Sequence, residues 1–143
     1  MYQYSATVFL LSGGWTPTME DTEAQTAWIQ ADLSTVHLLI SVTTQGRADT
    51  LIWTTSYNIS YGNDVGSLTK IDVVYAGNTD QDTKVTNQLP CNTFGRYIRL
   101  HPLAPNAITL DFVGIRWDVI AVPDTQNEYS NASKYVRIRL VKI

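Results

Sequence analysis

The amino-acid sequence predicts an all-β protein, an antiparallel β-sandwich, and three observations carry that prediction. Apolar and polar residues alternate with a period of two in segment after segment, turn-forming residues punctuate the chain between them, and no stretch has the helical period that parallel strands need for their crossovers. The chain has 143 residues, 44% of them apolar and 16% charged. A single domain of that size buries roughly 68–70% of the surface its unfolded chain exposes, enough for one sizeable core.

In chain order, strands are expected at residues 28–33 and 36–43, then in Tyr57-Asn-Ile59-Ser-Tyr61, in Ile71-Asp-Val73-Val-Tyr75, at residues 84–89 and 96–101, and in Ile115-Arg-Trp117-Asp-Val119. A last alternating stretch, Val136-Arg-Ile138-Arg-Leu140, closes the chain. Between them lie turn signals such as Gly62-Asn-Asp64, Ala76-Gly-Asn78 and Pro102-Leu-Ala-Pro105. Residues 19–27 are the one place where a helical turn fits, and their polar content favours a loop.

Strand polarity decides which loops meet. Successive antiparallel strands run in opposite directions, so residues 13–26, 45–53, 77–83 and 102–112 are expected at one rim and residues 34–35, 62–70 and 90–95 at the other. The first rim has the longer loops, and binding residues favour such loops over a rigid scaffold.

The net charge of −3 argues against nucleic acid, whose binders carry a basic stripe that neutralises phosphates. Residues 1–46 hold four acids and no Lys or Arg, while residues 96–143 hold seven basic residues and four acids. Arg137 and Arg139 alternate with apolar neighbours, as on the solvated face of a strand. No apolar run approaches the roughly 20 residues of a membrane span, and the run Val8-Phe-Leu-Leu11 is too short, and lacks the basic flank, for a signal peptide. The lone Cys91 excludes an intramolecular disulfide.

The fragments Gly13-Gly-Trp15-Thr-Pro17, Trp28-Ile-Gln-Ala-Asp32-Leu33, Val42-Thr-Thr-Gln45-Gly46-Arg47, Ser56-Tyr57-Asn-Ile59-Ser-Tyr61, Tyr75-Ala-Gly77-Asn78-Thr-Asp80, Arg96-Tyr97-Ile98-Arg99-Leu100-His-Pro102 and Ile115-Arg116-Trp-Asp118-Val119 follow one another in an order that resembles the discoidin family, also called coagulation factor 5/8 type C. The resemblance covers about residues 13–122 and implies a galactose-binding-domain-like jelly roll without catalysis. It further implies secretion or display at the cell surface, and adhesion to a cell-surface glycan, an anionic phospholipid or a protein partner. Residues 123–143 extend past the family's usual end. Their Lys134-Tyr-Val-Arg-Ile-Arg-Leu140 echoes Arg96-Tyr-Ile-Arg-Leu100, so the whole of 1–143 is expected to form one domain with an added C-terminal strand.

Within that frame the ligand-binding candidates are Trp15, Arg47, Asp49, Leu51, Ile52 and Asn106. Trp15, beside two glycines and a proline, has a ring that can stack on a sugar or pack under its loop. Arg47 and Asp49 can give charge-assisted hydrogen bonds to a ligand or pair with each other. Leu51 and Ile52 form an apolar tip that favours membrane or protein contact if exposed. The leading expectation is a lectin-like module that gains strength from several copies or from oligomerisation.

Asn78, Asp80 and Asp82 place oxygens at i, i+2 and i+4, as in the opening of a calcium loop. Thr83 stands where an EF-hand needs Gly, and Leu89 where it needs Glu, so a hairpin turn is the first reading. A calcium ion held by these residues and Asp21 is the alternative that the family resemblance suggests. His37 and His101 are read as structural, and no nucleophile elbow, P-loop or dinucleotide motif is present.

Overall fold

A computed structural model describes residues 13–17, 26–106, 108, 112–124 and 136–140, the last segment in its backbone alone. The described residues form eight strands and no helix: β1 (Ile29–Gln45), β2 (Thr54–Gly62), β3 (Thr69–Lys70), β4 (Tyr75–Ala76), β5 (Val85–Gln88), β6 (Phe94–Pro105), β7 (Arg116–Pro123) and β8 (Val136–Leu140). All pairings are antiparallel, in the order β3-β2-β6-β1-β7-β8, with β4 on β2 and β5 on β1.

β1 joins the two layers. Its first part pairs with β6, Ile29 opposite Leu100 and Asp32 opposite Tyr97, and its later part pairs with β7, Val42 opposite Val119 and Gln45 opposite Arg116. The two strands expected at 28–33 and 36–43 are therefore one strand with a bulge rather than two strands and a turn. The four residues from Leu33 to Val36 face Arg96 alone, and Ser34 takes a positive φ of 68°, a conformation that costs a non-glycine residue energy. Asp32 holds the bulge by accepting from Ser34 N at 2.8 Å.

The alternation read at residues 71–75 is broken in the same way. Ser60 pairs with Lys70 and Tyr57 with Tyr75, so the four residues from Ile71 to Val74 face two, Asn58 and Ile59. Val73 and Val74 are left exposed as the edge bulges outward. Period-two pattern reading cannot register extra residues, because it assumes an unbroken ladder.

The core fills the space between the layers. Ile29, Ala31, Ile59, Ile98 and Leu100 come from one side, and Leu39, Val42, Trp117, Val119 and Ala121 from the other. β8 pairs with Trp117 through Ala121 and forms the edge beyond β7. Residues 18–25, with the expected helical turn, lie outside the described residues. No helix among the described residues is long and apolar enough to cross a membrane.

Candidate functional site

The described parts of the expected loops meet at one rim, although the polarity count behind that expectation took β1 as two opposed strands. Ala48 N donates to Gly13 O at 3.1 Å, Gln81 Nε2 to Thr50 O at 2.6 Å, and Asn106 Nδ2 to Leu51 O at 2.8 Å, so three separate segments lean on the 46–53 loop. Arg116 fastens the same rim from β7, donating through Nε to Gly46 O at 2.6 Å and through Nη2 to Gln81 O and Asp82 Oδ1 at 2.8 and 3.0 Å. Sequence reading did not single out Arg116; its place at the start of a strand on this rim was the available signal. At the opposite rim Arg96 N donates to Asn63 Oδ1, Leu39 N to Thr93 O, and the exposed Cys91 follows Pro90.

Arg47 and Asp49 form the polar centre. Arg47 Nε donates to Asp49 Oδ1 at 2.9 Å and Nη2 to Oδ2 at 2.7 Å, while Nη1 reaches Thr16 Oγ1 at 2.9 Å. The hydrogen bonds from Arg47 hold the Asp49 carboxyl below its usual range, so it is an ionised acceptor at neutral pH. Their side chains remain 24% and 43% exposed, so the pair is open to a ligand from outside. Beside them Leu51 is 53% exposed at the loop tip and Ile52 is half-buried, its main-chain oxygen accepting from Arg47 N at 2.9 Å.

Two candidates have a different place from the one expected. Trp15 is only 5% exposed, belongs to the core and pairs with Ile115 through the main chain, so its ring offers no stacking platform; burying a large apolar ring outweighs displaying it. Asn106 is buried, and its amide braces Leu51 from beneath instead of facing outward. Placement in loops, Trp15 after two glycines and Asn106 after Pro105, gave both residues an exposed look in the sequence, because loop assignment alone does not reveal depth.

The oxygen-rich segment forms a tight turn. Asn78 is buried and donates through Nδ2 to Thr44 O and Thr83 O, while Asp80 accepts from Asp82 N, Thr83 N and Thr83 Oγ1, which lower its pKa. Asp82 faces Arg116, and Asp21 lies outside the described residues. Among the described residues no three His, Cys, Asp or Glu side chains gather as a metal-ligating group.

A sandwich without a helix among its described residues, carrying a braced and partly apolar loop rim, is the form of a binding module. The model of the F5/8 type C domain matches residues 5–112, and the chain belongs to that family, whose members are non-enzymatic binding modules. Contactin-associated protein 1 of Rattus norvegicus is 32% identical over 119 residues, 80% of this chain and 8% of that protein. Retinoschisin of Mus musculus is 34% identical over 83 residues, covering 53% of the chain and 37% of that protein. Among solved structures, discoidin II of Dictyostelium discoideum superposes with a TM-score of 0.62 and 28% identity, covering 73% of this chain and 40% of its own. The chain thus spans well under half the length of these relatives.

Proposed function

We propose that the domain binds carbohydrate at the Arg47, Asp49 and Leu51 rim and serves adhesion outside the cell or at its surface. The observation that carries this reading is the two-pronged Arg47 to Asp49 pair held open at the rim. It sets N–H donors beside carboxylate acceptors, and a sugar's neighbouring hydroxyls need both. Leu51 supplies the apolar contact that a pyranose C–H face seeks, the part Trp15 does not play. Both rim arginines already face carboxylates, Asp49 and Asp82, which leaves little net positive charge to draw an anionic headgroup.

A membrane-surface reading has one observation of its own: Leu51 and Ile108 are both exposed, and Asn106, two residues before Ile108, bonds to Leu51 O. A glycan array run beside phosphatidylserine vesicles, with wild type, Asp49→Asn and Leu51→Ser, separates the two. Glycan hits lost in Asp49→Asn support the proposal. Vesicle binding lost in Leu51→Ser, with no glycan bound, overturns it. A single rim site of this kind is shallow, so adhesion draws on several copies of the domain.

A further inference from the structure

We propose a second ligand site, away from the rim, on the outer face of the β2-β6 sheet: an oxyanion, the sulfate or phosphate of a monoester, held over His101 between Lys70 and Arg99. Two cross-strand rows define the place. Lys70, Ser60, Arg99 and Gln30 lie side by side on β3, β2, β6 and β1, and in the next row Asn58 faces His101. Within a row neighbouring strands are about 4.8 Å apart, so long side chains from the first row reach across the second.

They do so on both flanks. Lys70 Nζ lies 3.1 Å from the Asn58 side-chain oxygen when that amide is oriented to donate its nitrogen to Val73 O, also at 3.1 Å. The Arg99 guanidinium lies over the Trp28 ring at 4.0 Å and gives Nε and Nη2 to Gln30 Oε1 at 3.0 and 2.8 Å. His101 stands between the two cations, with Nε2 3.1 Å from Ser60 Oγ.

Both cations rest on neutral groups here: an amide oxygen for each and an indole ring for Arg99. Three other arginines are differently placed, since Arg47, Arg96 and Arg116 each face a carboxylate. Two positive charges beside a partly buried imidazole repel its protonation, and burial, Arg99 and Lys70 together push His101 down to about 4. The arrangement is self-repelling as it stands, and a bound anion removes that repulsion. The Arg99 Nη1 makes none of the bonds above and supplies donors for such an anion, with the exposed Lys70 opposite.

NMR of the His101 ring and the Arg99 side chain, during titration with sodium sulfate against sodium chloride at equal ionic strength, tests the site. Saturable shifts at both residues and a rise in the His101 pKa are expected. Lys70→Gln, an exposed change that spares the core, should weaken sulfate by about fivefold or more, the scale of one charge-assisted contact. Asp49→Asn should leave sulfate binding unaltered, which separates this site from the rim. Competition by a sulfated monosaccharide or by vesicles carrying a phosphoinositide identifies the carrier. Shifts that never saturate, that match chloride, or that persist unchanged in Lys70→Gln overturn the proposal, as does competition by neither carrier.

Discussion

Asn106 Nδ2 donates to Leu51 O at 2.8 Å, so a buried amide on one loop supports an exposed apolar tip on the next. The bond crosses 55 residues of chain and ties the loop after β6 to the loop before β2. Asn106→Ala leaves the Leu51 carbonyl without that donor, and such a loss costs about 1–3 kcal/mol. The urea midpoint should fall accordingly. Ligand affinity at the rim should also drop, because Leu51 then samples positions away from Arg47 and Asp49; an unchanged midpoint would show that water replaces the amide at no cost.

Gly114 lies under the same loop. A Cβ there would meet Ile52 Cγ2 at 2.7 Å and Arg47 Cγ and Cδ at 2.9 and 3.0 Å. Arg47 must then shift away from Asp49, or Ile52 must rise. Gly114→Ala is expected to cost about 1–3 kcal/mol, the range for overpacking, and to weaken rim binding more than stability alone explains. Gly66→Ala is the control: its nearest neighbour is Asp64 Oδ1 at 3.4 Å, and its unfolding free energy should hold within about 0.5 kcal/mol of wild type.

His101 makes stability depend on pH. Desolvation first, then Arg99 and Lys70, lower its pKa from 6.5 to about 4. A histidine depressed in the folded state favours folding in its neutral form, so the contribution is complete above pH 6.5 and is lost as pH falls toward 4. A shift of this size corresponds to about 3 kcal/mol, which solvent at the partly open ring reduces to about 1–2 kcal/mol. Urea unfolding at pH 7 and pH 4.5 should show that extra loss in wild type and not in His101→Gln, where the remaining slope reports carboxylates such as Asp32, held low by its hydrogen bond from Arg96.

The alternation of residues 57–61 and 115–119 was legible because the ladder runs without a register shift along Tyr57–Tyr61 and Arg116–Val119, so sequence parity equals facing there. The joining of residues 28–33 to 36–43 was not, since the bulge depends on Asp32 accepting from Ser34 N and from Arg96, a residue 64 positions away. Arg47 and Asp49 were legible as a pair because they are two residues apart in one loop. The depth of Trp15 and Asn106 was hidden, because it is set by what covers them: Trp15 by its bridge to Ile115, Asn106 by the neighbouring Leu51 loop. The cluster around His101 is assembled from β2, β3 and β6, and only the register reveals it.

β8 supplies the last expectation. It pairs with β7 through Trp117 opposite Leu140, Val119 opposite Ile138 and Ala121 opposite Val136, while β7 holds its other edge against β1. Removal of residues 130–143 would open the second edge of β7 along this ladder and leave main-chain donors and acceptors from Trp117 to Ala121 facing water. Net backbone bonds contribute about 0.5–1.5 kcal/mol each, so a ladder of this length is worth roughly 3 kcal/mol, a large share of a typical domain's roughly 5–15 kcal/mol. The strand that loses its partner also carries the buried Trp117 and Val119, and an open edge of that kind pairs with other chains. The truncated chain should therefore unfold at lower urea and scatter light in proportion to its concentration, and an unshifted midpoint with a monomeric sedimentation profile would mean that β8 adds nothing to the sandwich.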